Sequence, residues 1–264
     1  LSKLFNIKIV SRSNTAPQGW SNNNFKKFLY KFVINLADNV IVNSYEFRKS
    51  LNKTFNTSSI CIYNPINKKE VLKQSKVYLK FEFFNNKSLN LINVGRCTGQ
   101  KNQILILKAI KYLNKKIPIK LLIAGRGKEF PKLDDFIKKN NLSKYVKLFD
   151  FLPNPHRFIK KADAFVLSSN YEGLPNVLLE AQCLKKIILS TKCPTGPKEI
   201  LMNGKAGTFF KMNNYKDLAK KIEYIYKNKA LLKKKTLIGY NNLNRFDQET
   251  NLNKYYLILK KYLT

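Results

Sequence analysis

Apolar and polar positions alternate along this chain in two repeating patterns. Short runs rich in valine, isoleucine and leucine are typical of strands, while longer segments with an apolar residue every three or four positions are typical of helices. In the first part the order strand, helix, strand, helix, strand is predicted at 4–11, 24–36, 38–43, 45–51 and 59–63, with a loop at 12–17. Such alternation predicts an α/β fold built on a parallel sheet.

A longer series of the same kind begins at Leu89. Its predicted strands are 89–94, 119–124, 145–149, 163–167, 187–190 and 208–210. Its predicted helices are 102–113, 130–140, 155–161, one starting near 174–176, a short one at Gly196-Pro197, and 216–227. Short joints between these elements require right-handed crossovers, so we expect a parallel sheet covered on both faces, a doubly wound domain. Polar, Lys-rich residues 64–87 are predicted to join the two halves, and a last helix is predicted at 246–262.

Composition bounds the class of protein. The chain has 264 residues, of which 44% are hydrophobic, so it can bury a core and is long enough for two domains. No apolar run approaches the roughly 18 residues that would span a bilayer, and the first residues lack the features of a signal peptide. The chain starts at Leu1 without methionine and enters a strand-like run directly, which predicts that an N-terminal part is missing.

The formal net charge of +34 indicates that the binding partners are anionic. A basic surface attracts nucleic acids of any sequence, but here the charge is spread along the chain with few arginines and no recognisable nucleic-acid motif. We therefore expect no specific nucleic acid, and instead attraction to an anionic membrane surface or a phosphate-bearing acceptor. A nucleic-acid binder stays open as an alternative, which would show steeply salt-dependent binding.

The four cysteines are scattered, without a C-x-x-C pair, and the chain has one histidine, His156. No metal site or disulfide framework is predicted, and free thiols are expected. His156 lies in a polar Asn-Pro-His-Arg stretch and is interpreted as a surface residue.

Residues 168–199 carry the densest candidate chemistry. Glu172 lies in a loop that runs into Pro175, whose fixed φ suits the first position of a helix. On that helix Asn176 and Glu180 share one face, and a charge in the apolar run VLLEAQCL must face a surface or a site. Because the N–H groups of a helix start bind anions, a carboxylate and an anion site are expected side by side.

The other predicted strands end in turns that belong at the same edge, since ligands of such sheets bind outside the carboxyl ends of the strands. Arg96 and Lys101 form one such turn, and an arginine fork with a lysine charge suits a diphosphate. The turn at Gly125-Arg126-Gly127 is not the full G-x-G-x-x-G pattern, so NAD binding is not expected.

Taken together, these residues resemble a known family. The matching stretches are Gly95-Arg96 with Gln100-Lys101-Asn102, the run LLIAGRG, the run ADAFVLSS, EGLPNVLLEA, and CPTGPKEIL. The chain is similar in them to the retaining GT-B glycosyltransferases of family four, the glycosyl transferases group 1 domain, and Glu172 and Glu180 stand at that family's E-x7-E spacing. The likeness is strong over 89–227 and weaker over 4–65.

The resemblance implies roles for the residues at this edge. Arg96 and Lys101 would hold the diphosphate of a nucleotide sugar, with Glu172 on the donor sugar, and these three form the predicted catalytic set. Glu180 would bind the ribose hydroxyls, and the turn with Phe151 would frame the base. The other predicted donor-binding residues are Gly95, Gly125, Gly127, Gly173, Leu174, Pro175 and Asn176. No metal or cofactor is expected beyond the nucleotide diphosphate sugar, with a UDP-sugar as the expected donor.

The same resemblance implies a GT-B architecture of two Rossmann-like doubly wound domains, the first incomplete. Residues 1–82 would form the acceptor-side domain and hinge, 83–243 the nucleotide-sugar domain, and 244–264 a helix packing back on the first domain. At the strand end where many members carry a histidine this chain reads Ser-Arg-Ser-Asn, so Arg12 and Asn14 are the predicted acceptor-side residues.

The implied function is retaining transfer of a hexose or N-acetylhexosamine to a glycan acceptor, expected to be lipid-linked, in cell-surface polysaccharide or oligosaccharide biosynthesis. The expected location is the cytoplasm, peripheral to the inner face of the membrane. The alternative is an inactive remnant that binds a nucleotide and transfers nothing.

Overall fold

A computed structural model describes residues 7–14 and 23–263. The strands in chain order are β1 (Val10–Ser13), β2 (Asn39–Val42), β3 (Ile60–Cys61), β4 (Leu89–Val94), β5 (Ile119–Ala124), β6 (Val146–Phe149), β7 (Ala164–Leu167), β8 (Ile187–Thr191) and β9 (Thr208–Phe210). The helices are α1 (Asn24–Asn35), α2 (Tyr45–Phe55), α3 (Lys68–Ser75), α4 (Gln103–Leu113), α5 (Phe130–Lys139), α6 (Pro155–Lys161), α7 (Asn176–Cys183), α8 (Pro197–Ile200), α9 (Tyr215–Lys227), α10 (Lys229–Asn242) and α11 (Gln248–Lys260).

The first three strands form a parallel sheet in the order β1-β2-β3. Helix α2 starts where Ser44 accepts a hydrogen bond from the Phe47 backbone N–H, as expected of a serine N-cap. One face of the sheet packs on α1 and α2 through a cluster of Ile34, Val40, Val42, Phe47, Leu51 and Phe55. The other face presents Ile41 and Ile62, which pack against Ile258 of α11. The C-terminal helix therefore contacts the three-stranded sheet.

The remaining strands form a parallel sheet in the order β6-β5-β4-β7-β8-β9. Leu91 and Ile92 are neighbours on β4 but belong to two different apolar clusters, so successive residues of this strand are buried on opposite faces of the sheet. Helices therefore cover both faces, and the predicted doubly wound fold is confirmed. The strand order reverses between β4 and β7, since the chain runs outward through β5 and β6 before it returns. In sheets of this kind the reversal point is where ligands bind.

The segment predicted as a polar joint at 64–87 contains helix α3, which the sequence interpretation missed. Asn67 caps it by accepting a 2.9 Å hydrogen bond from the Glu70 backbone N–H. Val71 is buried, together with Phe84, in the cluster that covers one face of the six-stranded sheet. This helix was not predicted because few of its residues are apolar, so they form no periodic pattern.

The structure adds three further details to the predicted elements. The first strand spans Val10–Ser13, so Arg12 lies in a strand and not in a loop, because the ladder to β2 pairs Val10 with Asn39 and runs to Ser13. Residues 4–6 of that prediction and 15–17 of the predicted loop lie outside the described residues. Helix α10 was not predicted because it is rich in lysine, and Leu232 is its buried large apolar side chain. Pro175 is the N-cap residue of α7, one position before the helix.

Candidate functional site

The candidate site lies where the strand order reverses, at the carboxyl ends of β4 and β7. Hydrogen bonds join the two loops that leave these strands. The Ser168 hydroxyl donates to the Lys101 carbonyl at 2.7 Å, and the Asn170 N–H donates to the Gln100 carbonyl at 2.8 Å. The Gln100 side chain in turn donates to the Tyr171 carbonyl at 2.9 Å. The predicted meeting of these two turns at one edge is confirmed.

A buried ion pair holds the centre of this junction. The Lys101 ammonium lies 2.6 Å from Glu172 Oε1, and the side chains are 16% and 7% exposed. The Ser169 hydroxyl donates to the same oxygen at 2.6 Å. No hydrogen bond from the described part of the chain reaches Glu172 Oε2.

Backbone packing sets the position of the Glu172 loop. The Glu172 N–H donates to the Pro194 carbonyl at 2.7 Å, and the Thr195 hydroxyl donates to the carbonyls of Glu172 and Gly173 at 3.2 and 3.1 Å. A Cβ on Gly173 would lie 1.9 Å from the Asn14 carbonyl oxygen. Glycine is required there, because this loop and the end of β1 approach each other at backbone distance.

An open cavity of about 530 Å³ lies beside this loop, between the ends of the two sheets. Arg12 donates to the Asn64 side-chain oxygen at 2.9 Å, and Asn64 donates to the Leu174 carbonyl and the Asn176 side-chain oxygen at 3.0 and 2.7 Å. The cavity is lined by Arg12, Asn14, Asn43, Asn64, Pro65, Lys101, Glu172, Gly173, Leu174, Pro175, Asn176 and Val177. Predicted donor-side and acceptor-side residues thus face one space.

The start of α7 forms part of that cavity wall. Among residues 7–14 and 23–263 no side chain caps the helix, so its first-turn N–H groups lack a side-chain acceptor there. Asn176 and Val177 of this turn line the cavity. Unpaired N–H groups and the positive end of the helix dipole favour an anion there.

Glu180 lies one turn further along α7, beside His156 at the start of α6. His156 Nε2 is 3.4 Å from Glu180 Oε2, and the two side chains are 19% and 24% exposed. The interpretation of His156 as a surface residue is wrong, because α6 packs this imidazole against α7.

The ends of β4 and β5 supply the remaining predicted residues. Gly125 has φ +154°, and a Cβ there would lie 1.9 Å from the Gly95 carbonyl oxygen, so the two turns touch through their backbones. The Arg96 side chain is exposed and forms no ion pair or hydrogen bond with any described residue. Phe151 is 57% exposed, with the Arg126 guanidinium 5.2 Å from its ring centre. Cation and aromatic ring form an open platform suited to stacking.

The unpredicted residues of the site include four with polar side chains, namely Asn43, Asn64, Ser169 and Thr195. All four are buried, and Asn64, Ser169 and Thr195 hydrogen-bond the loop that carries Glu172. Ser169 and Thr195 belong to the matching stretches ADAFVLSS and CPTGPKEIL but were assigned no role, and Asn43 and Asn64 carried no sequence signal of a site.

The cysteines and the acidic residues give no metal centre in the described part of the chain, where no group of three potential ligands comes together. The four cysteines are unpaired, as predicted. Burial raises the pKa of the Cys97 thiol to about 11 and that of Cys193 to about 12, which keeps both protonated at neutral pH.

Comparison with known proteins agrees with this geometry. The model of the family described as glycosyl transferases group 1 matches residues 74–244. An uncharacterized glycosyltransferase of Methanocaldococcus jannaschii is 34% identical over 219 residues, which is 76% of this chain and 53% of that protein. The chain therefore belongs to the glycosyl transferases group 1 family.

Two further proteins are similar to this chain. The Campylobacter jejuni N-acetylgalactosamine-N,N'-diacetylbacillosaminyl-diphospho-undecaprenol 4-alpha-N-acetylgalactosaminyltransferase is 27% identical over 87% of this chain and 66% of its own length. The Anabaena protein HepE, crystallised with UDP and glucose, superposes with a TM-score of 0.86 at 17% identity, over 98% of this chain and 73% of that one. This likeness shows that the fold is GT-B. The chain spans about half to two thirds of these curated relatives.

Proposed function

We propose that this protein is a retaining glycosyltransferase that moves a hexose or N-acetylhexosamine from a nucleotide diphosphate sugar, a UDP-sugar by expectation, to a glycan acceptor. One observation carries the proposal: a buried lysine–carboxylate pair lies at the strand reversal point, inside a cavity shared by both sheets. Family membership supports the reaction class.

The leaving diphosphate is the group that this site is built to stabilise. Negative charge grows on it as the bond to the sugar breaks, and fixed positive charge aimed at that position lowers the barrier. Lys101 supplies an ammonium whose position Glu172 fixes, the start of α7 supplies N–H groups, and Arg96 supplies an unpaired guanidinium fork at the end of β4. We assign the diphosphate to these three elements. A metal ion is not part of the proposal.

The donor sugar is assigned to Glu172. Its Oε1 is taken by Lys101 and Ser169, while Oε2 lacks a described partner and can accept a sugar hydroxyl. The Gly173 turn brings its backbone beside the same place without a side chain. Ribose is assigned to Glu180 and the base to the platform at Phe151.

The acceptor is assigned to the cavity wall that carries Arg12 and Asn14. The name of the Campylobacter jejuni relative describes a transferase acting on a diphospho-undecaprenol-linked sugar. We extend that class to this chain and propose a lipid-linked glycan acceptor, whose phosphate groups suit a protein of net charge +34.

We also propose that the protein works in the cytoplasm, on the inner face of an anionic membrane, with α1 as the contact element. No helix among the described residues is long and apolar enough to cross a bilayer. One face of α1 exposes large apolar side chains, namely Phe25, Phe28, Leu29 and Phe32. Lysines 26, 27 and 31 flank that face. An exposed apolar face with basic flanks suits the boundary of anionic lipid.

Sedimentation with vesicles tests the membrane contact. The wild type should pellet with vesicles containing anionic lipid but not with neutral ones, and Phe28→Ser with Phe32→Ser should abolish pelleting. Tyr78→Ser, at another exposed aromatic, should change nothing. Pelleting that survives the double substitution would remove α1 from the proposal.

Calorimetric titration with UDP tests the donor site. Arg96→Ala and Glu180→Gln should each weaken binding about tenfold or more, because each removes a charge-assisted hydrogen bond worth roughly 1.5–3 kcal/mol. Arg48→Ala removes an exposed arginine of α2 and serves as the matched control. Unchanged UDP binding in both site variants would refute the assignment.

Incubation with a panel of UDP-hexoses and UDP-N-acetylhexosamines, with lipid-linked acceptors, then tests the reaction. Transfer should preserve the anomeric configuration, as read by NMR of the product. UDP binding without transfer to any acceptor would favour the inactive remnant.

A further inference from the structure

His156 and Glu180 form a contact that the proposed donor site does not yet use. Their nearest atoms, Nε2 and Oε2, are 3.4 Å apart. The imidazole Nε2 is fully buried and has no hydrogen-bond partner within the described residues. Leaving a buried polar nitrogen unpaired is unfavourable, so a small approach of the two groups is favourable.

The backbone of His156 is fixed independently of its imidazole. The His156 N–H donates to the Asn154 side-chain oxygen at 3.2 Å, which caps α6. The Asn154 amide donates in turn to the backbone and side-chain oxygens of Gln74 on α3, at 2.9 and 3.0 Å. These contacts hold the start of α6 in place through the His156 backbone and the Asn154 side chain. None of them uses the imidazole ring.

The geometry points to His156 as a positioning residue for the donor ribose. On nucleotide binding the two groups close from 3.4 Å to hydrogen-bonding distance, and Nε2–H then donates to Glu180 Oε2 and holds the carboxylate in one rotamer, with the other oxygen turned to the 2′ and 3′ hydroxyls of the nucleotide. This inference rests on the proposed function, since it presumes that Glu180 binds ribose. It adds that discrimination between ribose and deoxyribose depends on a residue that does not touch the nucleotide.

The chemistry of a carboxylate explains why a second donor matters. A free glutamate side chain rotates between several conformers, and a hydroxyl pair is bound well only when both acceptor sites are held in place. A neighbour that orients a binding group commonly matters nearly as much as the group itself, as histidine–carboxylate pairs around metals illustrate.

Comparison of UDP with 2′-deoxy-UDP separates this role from a structural one. Wild type should bind UDP about tenfold more tightly than 2′-deoxy-UDP, and His156→Ala should reduce that ratio to about one or two. His156→Gln keeps a side-chain N–H donor and should retain most of the preference. Lys160→Ala, an exposed position on the same helix, is the matched control and should behave as wild type.

The chain has one histidine, so its imidazole proton signals identify themselves in an NMR spectrum. They should shift when wild type is saturated with UDP, and shift less with 2′-deoxy-UDP. Thermal unfolding of each variant shows whether it is folded. If His156→Ala does not fold, the nucleotide preference of His156→Gln still tests the inference.

The outcomes separate the two levels of the argument. Absence of UDP binding to wild type would overturn the proposed function and the inference with it. Normal UDP binding, with an unchanged ribose preference in a folded His156→Ala, would overturn the inference alone. Loss of preference in both His156→Ala and His156→Gln would show that the imidazole acts by packing and not by donation, which also overturns it.

Discussion

Removing one partner of the Lys101–Glu172 ion pair should destabilise the protein more than removing both. Lys101→Met leaves a carboxylate that is 7% exposed with one remaining donor, the Ser169 hydroxyl. Breaking a buried pair in this way costs roughly 3–5 kcal/mol. Because the Lys101 side chain is 16% exposed and keeps some contact with water, the lower end, about 3 kcal/mol, is expected.

The double variant Lys101→Met/Glu172→Leu removes both charges and leaves the Ser169 hydroxyl unpaired, a cost of about 1–2 kcal/mol. Glu172→Leu alone leaves the Lys101 ammonium without its carboxylate and should cost at least about 1 kcal/mol. The two single costs together therefore exceed that of the double variant by at least about 2 kcal/mol, which is the coupling energy expected in the free energy of unfolding. Urea denaturation measures it, provided that the slope with urea is the same for all variants.

The chain offers a matched control pair on its surface. Lys227 and Glu223 lie 2.9 Å apart, four residues apart on α9, with side chains 64% and 38% exposed. Their cycle should give a coupling close to zero, because exposed pairs are solvated and screened. A Lys101–Glu172 coupling no larger than that of the control would refute the view that this pair is a buried, rigid element of the site.

Two further outcomes follow from the packing and burial. Gly173→Ala should lower the melting temperature and weaken UDP binding, because the new Cβ would lie 1.9 Å from the Asn14 carbonyl oxygen. Gly99→Ala is the control and should do neither, since no atom lies within 4 Å of its Cβ position. Equal effects of the two substitutions would contradict the close approach at Gly173. Burial lowers the pKa of Lys186 to about 8 in the folded protein. Between about pH 8 and 10 the unfolded state therefore binds more protons than the folded state. The free energy of unfolding of wild type should rise with pH in that window, relative to that of Lys186→Met. Parallel pH profiles from urea denaturation would show that Lys186 is not desolvated.

Most strands of the large sheet were predictable because apolar, β-branched residues dominate them and the inner four are largely buried. The predicted limits of β4, β5 and β9 coincide with those observed, since apolar residues dominate each strand and glycine, proline or polar residues bound it. Lys-rich helices such as α3 and α10 were not predicted, because a helix that buries one or two large side chains leaves little periodic signal.

The candidate site was predictable in part, through topology. Lys101 and Glu172 are 71 residues apart, yet both follow strands whose carboxyl ends meet, so the sequence could bring them to one edge. That they pair with each other was not predictable, because the side-chain conformations depend on packing. Asn43 and Asn64 could not be singled out, since polar residues in an asparagine-rich chain have no pattern until the two sheets face each other.

A crystal structure of the protein with UDP tests the central claim most directly. The account predicts the diphosphate within hydrogen-bonding distance of Lys101, Arg96 and the first turn of α7, the ribose hydroxyls on Glu180, and the base against Phe151. UDP bound away from the carboxyl ends of β4 and β7, or with its diphosphate out of reach of Lys101, would contradict it.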